Sequence, residues 1–142
     1  MAAFEIGERV ARDVTFDEEG IRNFATLAGD ESKLHHDAAF AEGTRFGGLI
    51  ASATQYTALL MGMVATMITQ RGAGLGLEFA FQFRKAVRAG QIMRLEWEIT
   101  AVEPAPKLGG DFVHLTGRMV GPGGEIAVTA SAKILVMPET AL

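Results

Sequence analysis

LIASATQYTALLMGMVATMI, Leu49 to Ile68, is the stretch whose reading decides the fold. It carries no formal charge, is bordered by Arg45 and Arg71, and has the length of a membrane span. Ser52, Thr54, Gln55, Tyr56, Thr57 and Thr66 lie inside it, and Gly48 and Gly62 border or interrupt it. A helix that is apolar nearly all round also serves as the buried helix of a globular fold, and the downstream chain supplies something to bury it. Phe79, Phe81 and Phe83 alternate with the period of a strand and share one face, as do Met93, Leu95, Trp97 and Ile99. Two strand-like runs, Leu77 to Val87 and Gln91 to Val102, are joined at Arg88-Ala89-Gly90. After a Pro104 to Gly110 loop, a last pair, Phe112 to Val120 and Glu125 to Met137, surrounds the turn Gly121-Pro122-Gly123-Gly124. Helices followed by an antiparallel meander of long strands predict an α+β fold in one domain spanning residues 1–142, its sheet wrapped around the apolar helix.

Upstream, Val10 to Phe16 reads as a short strand. Asp17 is placed to cap a helix, with Glu18 and Glu19 in the first turn, where the helix dipole favours acids. Ile21, Phe24, Ala25 and Ala28 then recur at helical spacing, and Gly29 stops the helix. Asp30 therefore opens a loop that runs to Asp37, which is placed to cap a short helix over residues 38–42. A glycine-bearing turn, Gly43 to Gly48, leads to Ser52, the expected N-cap of the long helix.

Composition excludes several classes of function. The net charge is -4 with no basic stripe, so nucleic acid is not an expected partner. There are no cysteines, which removes disulfides, thiolate metal sites and a cysteine nucleophile. Acidic residues come early and no long apolar run follows Met1, so no signal peptide is read and a cytoplasmic, non-membrane protein is expected. Gly72, Gly74 and Gly76 lack the lysine and the strand–loop–helix context of a phosphate loop. Adjacent His35 and His36 lack the helical spacing with which two histidines share one ion, so no metal site is expected.

Phe24-Ala-Thr-Leu-Ala-Gly-Asp30-Glu-Ser-Lys-Leu-His35-His-Asp37 resembles the signature of the MaoC-like (R)-specific enoyl-CoA hydratases, with Asp30, Leu34, His35 and Asp37 in register. Phe46-Gly-Gly-Leu-Ile-Ala51 is similar to that family's approach to its central helix, and Phe83 to Gln91 to its Lys-Pro-Val hairpin. The resemblance covers roughly Phe4 to Met137 and implies a hot-dog fold, a homodimer or higher homo-oligomer, and reversible hydration of a trans-2-enoyl thioester to the (R)-3-hydroxyacyl product. It implies no cofactor: coenzyme A, or an acyl carrier protein, enters as part of the substrate. Asp30 and His35 are the catalytic pair it implies. The Ala53 N–H is the expected donor to the thioester oxygen, and Ser32, Ile50, Ser52, Arg84 and Lys85 are expected to touch substrate.

The chain departs from the pattern at Ser32-Lys33, where the family has Asn-Pro, at Ser52-Ala53, where it has His-Gly, and at Met61, where it often has a small polar residue. Hydration needs a proton taken from water, one given to the α-carbon, and charge stabilised on the thioester oxygen. A carboxylate and an imidazole sharing a water meet the first two needs. Backbone donors at a helix N-terminus meet the third.

Read singly, Asp30 is a turn residue after a helix-ending glycine and His35 a structural histidine; their joint register carries the catalytic reading. His36 reads as structural or solvent-facing, Asp37 as a cap, and His114 as structural. Two other functions remain open: a diverged, non-catalytic acyl-thioester-binding module, and a thioesterase. The second is weakened because hot-dog thioesterases place an acid on the central helix, and Leu49 to Gln70 contains none.

Overall fold

The computed structural model describes residues 4–142. Strand β1 (Arg9–Thr15) leads into helix α1 (Glu18–Ala28); two short helices, α2 (Lys33–His36) and α3 (Ala38–Glu42), precede the central helix α4 (Ala53–Thr69). Strands β2 (Ala73–Phe83), β3 (Ile92–Ala105), β4 (Gly110–Val120) and β5 (Ile126–Met137) complete one antiparallel sheet in the order β1-β3-β4-β5-β2. This is the hot-dog arrangement, one long helix against a five-stranded sheet.

The helix caps fall where the sequence puts them. Asp17 accepts the Gly20 N–H at 2.7 Å, and Gly29 takes the left-handed conformation, φ 75°, that ends α1. Asp37 accepts the Phe40 N–H at 3.0 Å, and Ser52 caps α4. One turn of helix, α2, occupies what reads as loop between Asp30 and Asp37.

The meander expectation holds only for β3, β4 and β5. β2 and β3, read as neighbours joined at residues 88–90, lie at different places in the sheet: β2 pairs with β5 at one edge and β3 pairs with β1 and β4. The intervening segment is a crossover. Arg84 and Lys85 N–H groups donate to Ala127 O, Ala51 N–H donates to Val87 O, and Val87 is fully buried. Alternating apolar residues fix which face of a strand is inward but not which strand lies beside it. β2 also begins and ends earlier than the aromatic alternation suggests, at Ala73 and Phe83.

Met93, Leu95, Trp97 and Ile99 all face the core, as their alternation predicts. They meet Leu60, Val64 and Ile68 of α4, and Trp97 Nε1–H donates to Leu60 O at 2.9 Å. Gly117 stands opposite Trp97 in β4, where an added Cβ would fall 2.6 Å from the indole ring. Phe79 and Phe81 are half-buried against this core, while Phe83 is 54% exposed. The sheet does not enclose α4 as completely as an all-apolar helix suggests: Ala58, Met61, Gly62 and Ala65 are exposed on its other side. No helix among the described residues is long and apolar enough to cross a membrane.

Candidate active site

Asp30 is placed by the end of α1. The turn that Gly29 makes directs the Asp30 N–H onto Ala25 O at 2.8 Å, which fixes the backbone. The next residues fold back as α2, and this brings His35 to the carboxylate: His35 Nε2 lies 3.2 Å from Asp30 Oδ2. The His35 ring is buried, and the Asp30 side chain keeps 29% of its exposure, so the pair has one open side.

The tautomer of His35 follows from its other nitrogen. Nδ1 is 2.7 Å from Ile50 O, and a carbonyl only accepts, so Nδ1 carries a proton. Nε2 then meets Asp30 favourably only with a second proton on that contact. A proton on Nε2 makes that contact a hydrogen bond to Oδ2.

Two further groups hold the carboxylate, and a third holds its backbone. Ser52 Oγ–H donates to Oδ2 at 2.6 Å, Ser32 N–H donates to Oδ1 at 3.2 Å, and His36 Nε2–H donates to the Asp30 carbonyl at 2.7 Å. Together they hold the Asp30 carboxyl below the ordinary aspartate range. The Ser52 bond is the largest cause, burial opposes it, and the Ser32 N–H and the charges of His35 and His36 add to it.

Of the residues read as substrate contacts, Ser52, Ser32 and Ile50 bond within the site. Ser52 is fully buried with its proton committed to Asp30, so it holds that carboxylate. Ser32 Oγ caps α2 by accepting the Leu34 N–H, and Ile50 contributes its carbonyl to His35. Ala53 is the first residue of α4, and its N–H precedes the helix's own hydrogen-bond ladder. Arg84 and Lys85 lie on the crossover whose Val87 and Arg88 pair with Ala51 and Ile50.

His36, read as structural or solvent-facing, grips the backbone of Asp30, and Thr54 was missed entirely. The signal for Thr54 was its spacing: two residues after an N-cap serine, its N–H is an expected partner of that cap. Among the described residues, no group of three or more His, Asp or Glu could hold a metal ion. His114 lies on β4, 3.2 Å from Glu103.

Between α4 and β2 a cleft of about 500 Å³ opens, lined by Met61, Val64, Ala65 and Ile68 on the helix side and Phe79 and Ile134 on the sheet side. Met61, the departure noted in sequence, is 41% exposed at its wall.

A hot-dog sheet, a central helix capped beside an aspartate, and a buried histidine on the same carboxylate define a class, and the chain belongs to it: the family described as "MaoC like domain" matches residues 3–108. Within that family it is similar to the (R)-specific enoyl-CoA hydratase of Aeromonas caviae, 29% identical over 133 residues that cover 93% of this chain and 95% of that protein. The solved structure of an (R)-hydratase from A. caviae involved in PHA biosynthesis superposes with a TM-score of 0.85 at 26% identity, covering 96% of this chain and 99% of that one. The unliganded R-hydratase PhaJ1 from Pseudomonas aeruginosa gives 0.83 at 27% identity, covering 96% and 84%.

Proposed function

We propose that this protein hydrates trans-2-enoyl thioesters reversibly to (R)-3-hydroxyacyl thioesters, with Asp30 and His35 as its catalytic pair. The observation that carries the proposal is the contact of His35 Nε2 with Asp30 Oδ2 at 3.2 Å, with Nδ1 tied to Ile50 O. Similarity to (R)-specific enoyl-CoA hydratases along nearly the whole chain supports the same reaction.

The cycle balances in protons. Asp30 takes a proton from water as its oxygen attacks the β-carbon. His35 gives the Nε2 proton to the α-carbon, and the Ala53 N–H at the start of α4 receives the charge that gathers on the thioester oxygen. Asp30 is then protonated and His35 neutral, and passage of one proton across their contact restores the starting pair. Ser32, Ile50 and Ser52 act on the pair, not on substrate. Arg84 and Lys85, on the crossover beside Ile50 and Ala51, are suited to the phosphates of coenzyme A or of a carrier protein's prosthetic arm. The apolar cleft along α4 takes the acyl chain. The long β2 edge, with Leu75 and Leu77 exposed, suits pairing with a second copy in a homodimer.

The test is loss of the conjugated enoyl absorbance of crotonyl-CoA and of a longer enoyl-CoA, with Asp30→Ala and His35→Ala beside the wild type. Rapid loss abolished in both variants supports the reading. Wild-type protein that leaves every enoyl chain untouched overturns it.

A further inference from the structure

Asp30 is approached from α4 by a chain of hydroxyls whose proton directions are fixed. Ser52 Oγ lies 2.6 Å from Asp30 Oδ2, 2.6 Å from Thr54 Oγ1 and 3.2 Å from the Thr54 N. A serine hydroxyl offers one proton and two lone pairs. An ionised carboxylate only accepts, so the proton goes to Asp30. Both lone pairs are left for Thr54, one for its N–H and one for its Oγ1–H. The order of donation is therefore Thr54 to Ser52 to Asp30, and Ser52 has no capacity left for another partner. Its oxygen is fully buried, while Thr54 is exposed at the outer end of the chain.

We propose that Thr54 and Ser52 form a positioning relay for Asp30: they pin Oδ2 beside His35 and set the strength of the base. In this chain Ser52 stands where the related pattern has histidine, so the relay is a separate solution to holding the same carboxylate. The two residues touch no substrate and act through Asp30. The consequence for turnover rests on the hydratase reading; the consequence for the carboxylate does not.

The electrostatics agree with the geometry. The Ser52 bond is the largest of the causes that lower the Asp30 carboxyl. His35 and His36 of α2 are the titratable groups that act on it, and α4 carries no charged residue, so it contributes hydroxyls and backbone N–H groups only.

The experiment is a carbon-13 NMR titration of the Asp30 carboxyl in wild type, Ser52→Ala, Thr54→Val and Thr54→Ser. It is paired with the pH profile of crotonyl-CoA hydration. Thr54→Val removes the hydroxyl but keeps the N–H that Ser52 caps, so it serves if Ser52→Ala does not fold. Ser52→Ala should raise the Asp30 titration, Thr54→Val should raise it by less, and Thr54→Ser should restore it. The acid limb of kcat/KM should move up in pH with it, with kcat falling more than KM changes. An Asp30 titration unmoved in both Ser52→Ala and Thr54→Val overturns the relay whether or not the protein turns over. Shifted titrations in a wild type that hydrates nothing uphold the relay and overturn the hydratase reading.

Discussion

Asp30→Asn separates the chemistry of the site from its architecture. The amide has the shape of the carboxylate, and one orientation satisfies most of its neighbours. Its oxygen accepts the Ser32 N–H, while its NH2 points to His35 Nε2, whose lone pair is free when Nδ1 holds the proton on Ile50 O. The Ser52 hydroxyl then loses its acceptor and must turn. Hydrogen bonds to a charged group are worth about 1.5–3 kcal/mol and neutral ones about 0.5–1.5. Losing the Ser52 contact and replacing that of His35 with a weaker neutral one should therefore cost about 2–4 kcal/mol. A domain of ordinary stability, about 5–15 kcal/mol, stays folded through that loss. Hydration should fall much further, by about 10²–10⁴-fold, because an amide takes no proton from water. Urea unfolding and the enoyl absorbance assay read the two quantities on the same preparation. A folded Asp30→Asn protein that keeps its rate within about tenfold of wild type refutes Asp30 as the base.

Three further outcomes follow from other parts of the molecule. His35→Ala strands the Ile50 carbonyl in a buried setting, so beyond abolishing turnover it should lower unfolding stability by about 1–3 kcal/mol for that group alone, seen as a lower urea midpoint. Gly117→Ala drives a Cβ against the Trp97 ring and should cost about 1–3 kcal/mol, with a changed tryptophan emission spectrum; an unchanged midpoint would contradict the packing. Glu8, bonded by both oxygens to Arg71 at 3.1 and 2.6 Å, has its carboxyl held low first by that bond, against opposing burial. Its contribution is therefore present above the ordinary carboxylate range, about pH 4, and is lost as pH falls through it, because the unfolded chain binds the proton first. The Tm of wild type should drop more steeply below about pH 5 than that of Glu8→Gln, and parallel curves would remove Glu8 from the account.

How far the sequence reaches depends on whether a feature is local. The caps at Asp17, Asp37 and Ser52 and the stop at Gly29 are set within a few residues, and each falls where its spacing puts it. The inward face of β3 is equally legible, because alternation is a property of one strand. What alternation does not encode is the neighbour. β2 and β3 follow one another with a short glycine-bearing link that looks like a hairpin, yet the link is held by Ala127, Ala51 and Phe16, residues distant in sequence. Only those contacts carry the chain from one side of the sheet to the other.

The site divides in the same way. Asp30 and His35 are close in sequence and could be paired by their register, but the groups that fix their chemistry come from the start of α4. Ile50 O selects the tautomer of His35, and Ser52, passing on the donor of Thr54, selects the oxygen of Asp30 that faces it. In sequence Ser52 looks like the loss of a histidine. In three dimensions its single proton lies on the carboxylate, so the departure alters how Asp30 is held rather than removing what holds it. That is why replacing Ser52 and Thr54, neither of which needs to touch substrate, is expected to change the pH at which Asp30 works.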